Sequence, residues 1–285
     1  MVSFFENIPS YYRTAILAGG LLLLWIIEGL IPRFRFKGNR YRHAGSNLFF
    51  TLTTIVVNTT FAFLIVKASQ WTSEAKFGLL YWLQLPLWLH TILAVLMLDL
   101  IGAYLIHLVQ HKTAWMWHFH KIHHIDTQID ATTALRHHPV ESLFRVGALF
   151  IAILTMGVPF WMVMMYQSLS AFMSQFNHAN IHLPKWLDNA LSWVIVSPDM
   201  HKVHHSHYQP ETDSNYANIF SVWDRLFGTF VVIPDTTSIR YGLDEYQEPR
   251  YQEIGPLLKV PWEQTLAGED NRSGQQKPAD NTIIP

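Results

Sequence analysis

Residues 87–124 read LWLHTILAVLMLDLIGAYLIHLVQHKTAWMWHFHKIHH, and the order of residue types along them decides the fold. Leu87–Leu108 is apolar, interrupted by Asp99. At a rise of about 1.5 Å per residue it is long enough to cross the roughly 30 Å hydrocarbon core of a bilayer. The run passes into His107 and His111, spaced HxxxH, and then into His120, His123 and His124, spaced HxxHH. Residues at i, i+3 and i+4 share one face of a helix, so each cluster is expected to aim its imidazoles at a common point. The first rings then stand where an apolar helix leaves the membrane.

Both spacings recur downstream, as HxxxH in His178 and His182 and as HxxHH in His201, His204 and His205. Ten imidazoles exceed the needs of one ion, since a structural zinc takes four ligands and a catalytic one usually three. They suit two metals with about five ligands each, leaving room for external ligands. Neutral imidazole binds iron, zinc, copper and nickel, so ligand type leaves the metal open. The chain has no cysteine, which excludes disulfides, thiolate sites and cysteine nucleophiles.

Working outward, Thr14–Ile31, which carries Glu28, and Leu48–Val66, which carries Asn58, are also long and apolar enough to cross. Thr14–Ile31 lacks a basic leader and a small-residue cleavage site and reads as a retained anchor. Leu143–Phe176 is too long for one crossing, and Gly157-Val158-Pro159 divides it. A hairpin returns both ends to one side, as histidines before and after it need if they share a site. The connector holding Arg33, Arg35, Lys37, Arg40 and Arg42 outweighs Arg13, Lys67 and Lys76 on the opposite side and is expected in the cytoplasm.

The expected fold is therefore an all-α integral membrane protein with about four transmembrane helices, two plus a helical hairpin and a ligand-bearing helix. A cytosolic helical cap holds a dimetal site. The expected divisions are membrane anchor helices over 1–94, a catalytic domain over 95–233, a cap extension over 234–267 and a disordered tail over 268–285. Within the cap, 199–207 and 218–227 read as helices and 230–233 as a short extended segment. A net charge of −1 gives no argument for nucleic acid or an anionic partner.

WHFHKIHH (Trp117–His124), LRHHPVE (Leu135–Glu141), FNHANI (Phe176–Ile181), DMHKVHHS (Asp199–Ser206) and NYANIFSVWDRLFGTF (Asn215–Phe230) resemble the serial signatures of the sterol desaturase and fatty acid hydroxylase superfamily. The resemblance covers about Asp99–Thr229 and is closest to bacterial members. It implies a non-haem diiron centre that activates O2, with His107, His111, His120, His123, His124, His178, His182, His201, His204 and His205 as ligands. It implies a membrane lipid as substrate, a multi-pass place in a bacterial inner membrane with the site on the cytoplasmic side, and hydroxylation in preference to desaturation. No haem or flavin motif is present, so the electrons are expected from a separate ferredoxin or cytochrome b-type protein with its reductase. Zinc replaces iron readily at imidazole sites in purified samples.

Four residues are candidates for places beside the ligands. Asp99 lies about two turns before His107, and an intramembrane acid is a functional candidate by default. His138 is favoured over His137 by the resemblance, and Glu141 and Arg136 are placed to orient ligand imidazoles or to pack in the cap. Glu28, near a membrane boundary, is expected to reach water. His43, His90, His118 and His207 read as ordinary solvated or capped histidines. Two other classes compete: a zinc-dependent membrane hydrolase, for which the clusters offer no HExxH, and a metal transporter, which would carry its ligands at mid-bilayer.

Overall fold

The computed structural model describes residues 10–263. Among them regular structure is helical, and the only strand-like pairings are two isolated antiparallel bridges, Pro32 with Ile181 and Ser206 with Tyr241. Residues 230–233 join no ladder, and the expected disordered tail lies outside the described residues.

Helix α1 spans Ser10–Leu30 and α2 spans Arg40–Ala75. α2 is longer than the apolar run Leu48–Val66 because Asn39 caps its start, accepting from Arg42 N, and no proline interrupts it. α3 runs Leu87–Lys112 through a π turn at Leu100–Leu105, and α4 follows at Ala114–His124. α5 (Pro139–Met156) and α6 (Phe160–His178) form the hairpin, broken at Gly157–Pro159 as the sequence suggests. Among the described residues, short helices at the histidine-bearing end include α7 (Lys185–Leu191), α8 (Pro198–His204), α9 (Val222–Leu226) and α10 (Ile254–Lys259), with a single turn at Gln209–Thr212. α8 and α9 are shorter than expected, since 205–207 and 218–221 are irregular chain.

Among the described residues, three stretches are long and apolar enough to cross a membrane: Arg40–Trp82, Leu87–Lys112 and Pro139–Met156. Thr14–Leu30 is a shorter apolar helix. α6 joins the bundle without meeting that standard, because serines, glutamines and Asn177 dilute its apolar face.

One core joins α2 to the later helices, with Ile65 and Ala68 of α2 packed among Ala94, Leu98, Leu149, Ile153, Met162 and Tyr166. The hairpin tip is locked by glycine. A Cβ on Gly78 would stand 2.3 Å from Gly157 N, and both residues have positive φ, so two backbones touch where no larger residue fits. Ser69 Oγ donates to Val158 O beside them (2.6 Å).

At the opposite end Glu28 corrects the expectation that it reaches water. It is 2% exposed, accepts from the backbone of Ala131 (2.7 Å) and Asn180 (2.8 Å), and pairs with Arg40. An unpaired buried carboxylate would cost several kcal/mol, so these partners are what allow α1 to dock.

Candidate metal centre

The ligand-bearing helices meet where α3, α4, α6 and α8 end, and nine of the ten expected imidazoles converge there. His107, His111, His120, His124 and His204 form pocket one, with their candidate ligand atoms all within 4.8 Å of one another. His123, His178, His201 and His205 form pocket two by the same measure. All nine rings are buried. The His123 ring packs against those of His120 and His124 (5.4 Å each) and the His205 ring against that of His124 (4.7 Å), so the two pockets share a wall.

The clusters do not each aim at one point, as the spacing alone suggests. On α4, His120 and His124 serve pocket one while His123 serves pocket two. On α8, His201 and His205 serve pocket two while His204 crosses to pocket one. Residues at i and i+4 are about 40° apart around a helix, whereas i+3 and i+4 are about 100° apart. The i, i+4 pair therefore stays together and the i+3 ring turns to the neighbouring pocket.

Backbone and carboxylate groups fix several rings from behind. His107 Nδ1 donates to Tyr216 O (2.7 Å), His204 Nδ1 to Ser214 O (2.6 Å) and His120 Nδ1 to Glu141 Oε1 (3.0 Å). His178 Nδ1 lies 2.7 Å from Ser174 O and 2.6 Å from Asn177 Oδ1. A ring that donates outward through Nδ1 presents a bare Nε2 lone pair inward, the usual arrangement of a ligating imidazole.

The donor set fits metal ions. His178 Nε2 is met by Nε2 of His123, His201 and His205 at 3.0, 3.1 and 3.1 Å, and His120 Nε2 by those of His107 and His124 at 3.0 and 3.2 Å. One lone pair has no use for three ring nitrogens at that distance. Neighbouring ligands of a six-coordinate ion with metal–nitrogen bonds of about 2.1 Å are about 3.0 Å apart. His111 Nε2 and His204 Nε2 are buried without a protein partner, as are Nδ1 of His123, His124, His201 and His205. Burial first, and then neighbouring imidazoles, push His123, His124, His201 and His205 well below the ordinary histidine range; burial holds His204 near 3. Neutral rings are the ligating form.

His182 does not join either pocket. α6 ends at His178, Ala179 is extended (φ −54°, ψ 136°), and the chain leaves to pair with Pro32. His182 is exposed, with Nδ1 3.3 Å from Arg33 Nη1. Asp99 does not touch an imidazole: it accepts from Ile219 N (3.3 Å), Phe220 N (3.1 Å) and Trp223 Nε1 (3.0 Å). Asp99 and His107 do face one cap stretch, 216–223, and hold it at two heights. His138 caps α5, accepting from Val140 N (3.2 Å), and its ring lies against Phe119 and Trp262. Its neighbour His137 faces the site instead, stacked on His123 (4.9 Å) with Nδ1 3.1 Å from Glu141 Oε1. Glu141 Oε1 also receives Arg145 Nε (3.1 Å). Arg136 packs in the cap, donating to Ile122 O (3.1 Å) and Tyr251 O (3.2 Å) beside Asp126. Tyr216, Ser214 and Ser174 were missed because they act through main-chain carbonyls, which no side-chain pattern signals; Asn177, next to His178, left only its adjacency as a clue.

Paired, wholly imidazole-lined pockets at one end of an apolar helical bundle define a class of metal-competent membrane-type protein. Residues 91–229 match the fatty acid hydroxylase family. The chain is 27% identical over 142 residues to the ornithine lipid hydroxylase OlsE of Rhizobium tropici, covering 50% of this chain and 42% of that one. It is 32% identical over 149 residues to alkylglycerol monooxygenase of Xenopus tropicalis (50% and 30%) and 29% over 153 residues to human cholesterol 25-hydroxylase (51% and 53%). The matched regions thus span from under a third to about half of these relatives. No solved structure matches the chain.

Proposed function

We propose that the protein is an O2-dependent diiron lipid hydroxylase, inserting oxygen into an unactivated C–H bond of a membrane lipid. His107, His111, His120, His124 and His204 hold one iron, and His123, His178, His201 and His205 the other. When bound, the iron pair supplies the oxidising power for C–H cleavage. The chain's part is to hold nine neutral imidazoles in register, to brace His120 through Glu141 and His107 through Tyr216 O, and to exclude water from buried rings. The observation that carries the reading is the pair of adjacent pockets made of imidazole alone. Neither set of imidazoles includes a carboxylate, which a zinc hydrolase would need as base; Glu141 stands behind His120, grouped with it and His137.

These three relatives are hydroxylases or monooxygenases by name, which favours hydroxylation over desaturation. The site faces the cytoplasm of a bacterial inner membrane in this reading: the basic connector 33–42 lies at the histidine end, with Arg33 on Asp199 (3.2 Å) and Arg40 on Glu28. The catalytic unit is 95–233, and electrons arrive from a separate ferredoxin or cytochrome b-type protein with its reductase.

The test compares total lipids of cells making the intact chain or His178→Ala, with and without O2, by untargeted mass spectrometry, together with the iron content of the purified protein. Lipids that gain one oxygen only with O2 and the intact chain are expected; loss of two hydrogens instead would mark a desaturase. Iron-free protein with unchanged lipids in both strains overturns the proposal.

A further inference from the structure

A cavity of about 680 Å³ lies between α1, α2, α3, α5 and α6 and ends beside pocket two. Its lining includes His137, stacked on His123, and Ser174, whose carbonyl holds His178. The polarity of the wall changes with distance from the histidines. Toward them the lining carries the polar Arg145, Ser170, Ser174 and Asn218 beside Ala134, Leu135 and Ala171. Gln167 and Asn58 follow, and beyond them the wall is Ile65, Val66, Leu149, Met164 and Phe160. Along α6 the polar stretch from Ser174 to Gln167 covers about 10 Å, and Phe160 lies about 21 Å from Ser174. Asn58 and Thr59 are exposed on α2 although they line the cavity, so it opens sideways between the first two helices, at a depth where a crossing α2 would meet lipid.

We propose that this cavity takes one amphiphilic lipid with its oxygen-bearing polar end at Arg145, Ser170 and Ser174 and its alkyl tail at Met164 and Phe160, so that the carbon presented to pocket two lies next to the head group rather than near the methyl end. The proposal rests on the hydroxylase reading and adds substrate class and position of attack. Polar side chains inside a bilayer are costly unless they meet polar partners; Asn218 and Ser170 meet one another (2.8 Å), and a tail laid against Arg145 would leave its forked end unmet. Arg145 offers donors only, so it calls for acceptors: carbonyl, phosphate or hydroxyl oxygens. Glu141 occupies its Nε and leaves the forked end for the cavity. The orientation also agrees with the bilayer, because the histidines and lipid head groups both belong at the aqueous boundary.

The test feeds cells making the full-length chain with two fatty acids, one bearing a photoactivatable diazirine beside the carboxyl carbon and one bearing it near the methyl end. Both are built into the membrane lipids, and cross-links are mapped by peptide mass spectrometry. The carboxyl-proximal probe is expected on Ser170–Ser174 and the methyl-proximal probe on Phe160–Met164. Ala62→Trp, which fills the apolar end, should abolish the second label and leave the first. The reverse pattern, or no labelling of α6 by either probe, overturns the proposal. Unmodified acids of different lengths give the second readout: the new hydroxyl stays at one carbon counted from the carboxyl end, and a position fixed from the methyl end overturns the proposal. If labelling follows expectation but no O2-dependent product forms, the hydroxylase reading fails while the lipid's placement stands.

Discussion

Pocket one and pocket two are built from the same sequence device and come out unequal. Each is fed by one i, i+4 pair from an HxxHH helix, His120 with His124 or His201 with His205, and by the crossing i+3 ring of the other helix, His204 or His123. The difference lies in the HxxxH pairs. α3 continues helically through His107 and His111, giving pocket one five rings, whereas α6 stops at His178 and pocket two has four. The poorer pocket is the one beside the cavity, with His137 at its edge. Spacing creates the symmetry, and the end of one helix breaks it.

The largest effect is expected at the ring that organises pocket two. His178 Nε2 meets three other Nε2 atoms, so His178→Ala should empty pocket two and leave pocket one loaded. Iron per purified chain should fall by about half and lipid oxygenation to background, since a site of four ligands rarely survives loss of its central one. Full iron content in this variant, by elemental analysis, would show that the pockets are not separate sites.

Pocket one is braced from behind, and Glu141→Gln probes that brace. The variant keeps shape but removes the charge that receives His120 Nδ1 and Arg145 Nε. Loss of such a partner costs about 10- to 100-fold in metal affinity. Chelator titration should release iron from pocket one first, and wild-type affinity in both pockets would deny Glu141 its orienting role.

These two cases show how far the sequence could be read. Helix type, the hairpin break at Gly157–Pro159 and the gathering of the HxxHH rings follow from local spacing, because 3.6 residues per turn fixes which side chains share a face. The division of each HxxHH between two pockets is also in that spacing, but only once a second receiving site is known. The partners of Asp99, in 219–223, come from tertiary placement that local spacing does not carry, whereas His138 turns to the local task of capping α5. His137 gained its place by tertiary placement too.

Asp99 gives a smaller and different effect. Asp99→Asn replaces a carboxylate that accepts from two backbone N–H groups and Trp223 Nε1, at a point remote from both pockets' ring nitrogens. A hydrogen bond to a charged group contributes about 1.5–3 kcal/mol net, so detergent-solubilised protein should unfold at lower temperature while the iron content of folded protein is unchanged. Loss of iron without loss of stability would return Asp99 to the site.

The smallest effect is expected where the two HxxxH pairs diverge. His182 sits four residues after His178, as His111 sits after His107, yet it is exposed and its nearest polar partner is Arg33. The side chain of Arg33 also holds Asp199 and Thr236, so loss of the imidazole leaves the connector anchored. His182→Ala should keep full iron content and oxygenate lipid within about twofold of the intact chain, the range of an exposed substitution away from special features. His111→Ala, the formally equivalent change in α3, should deplete pocket one. Equal losses in the two variants would mean that α6 extends past His178 when metal is bound, carrying His182 into pocket two as its fifth ligand; unequal losses leave that position to the side of the pocket facing His137 and the cavity.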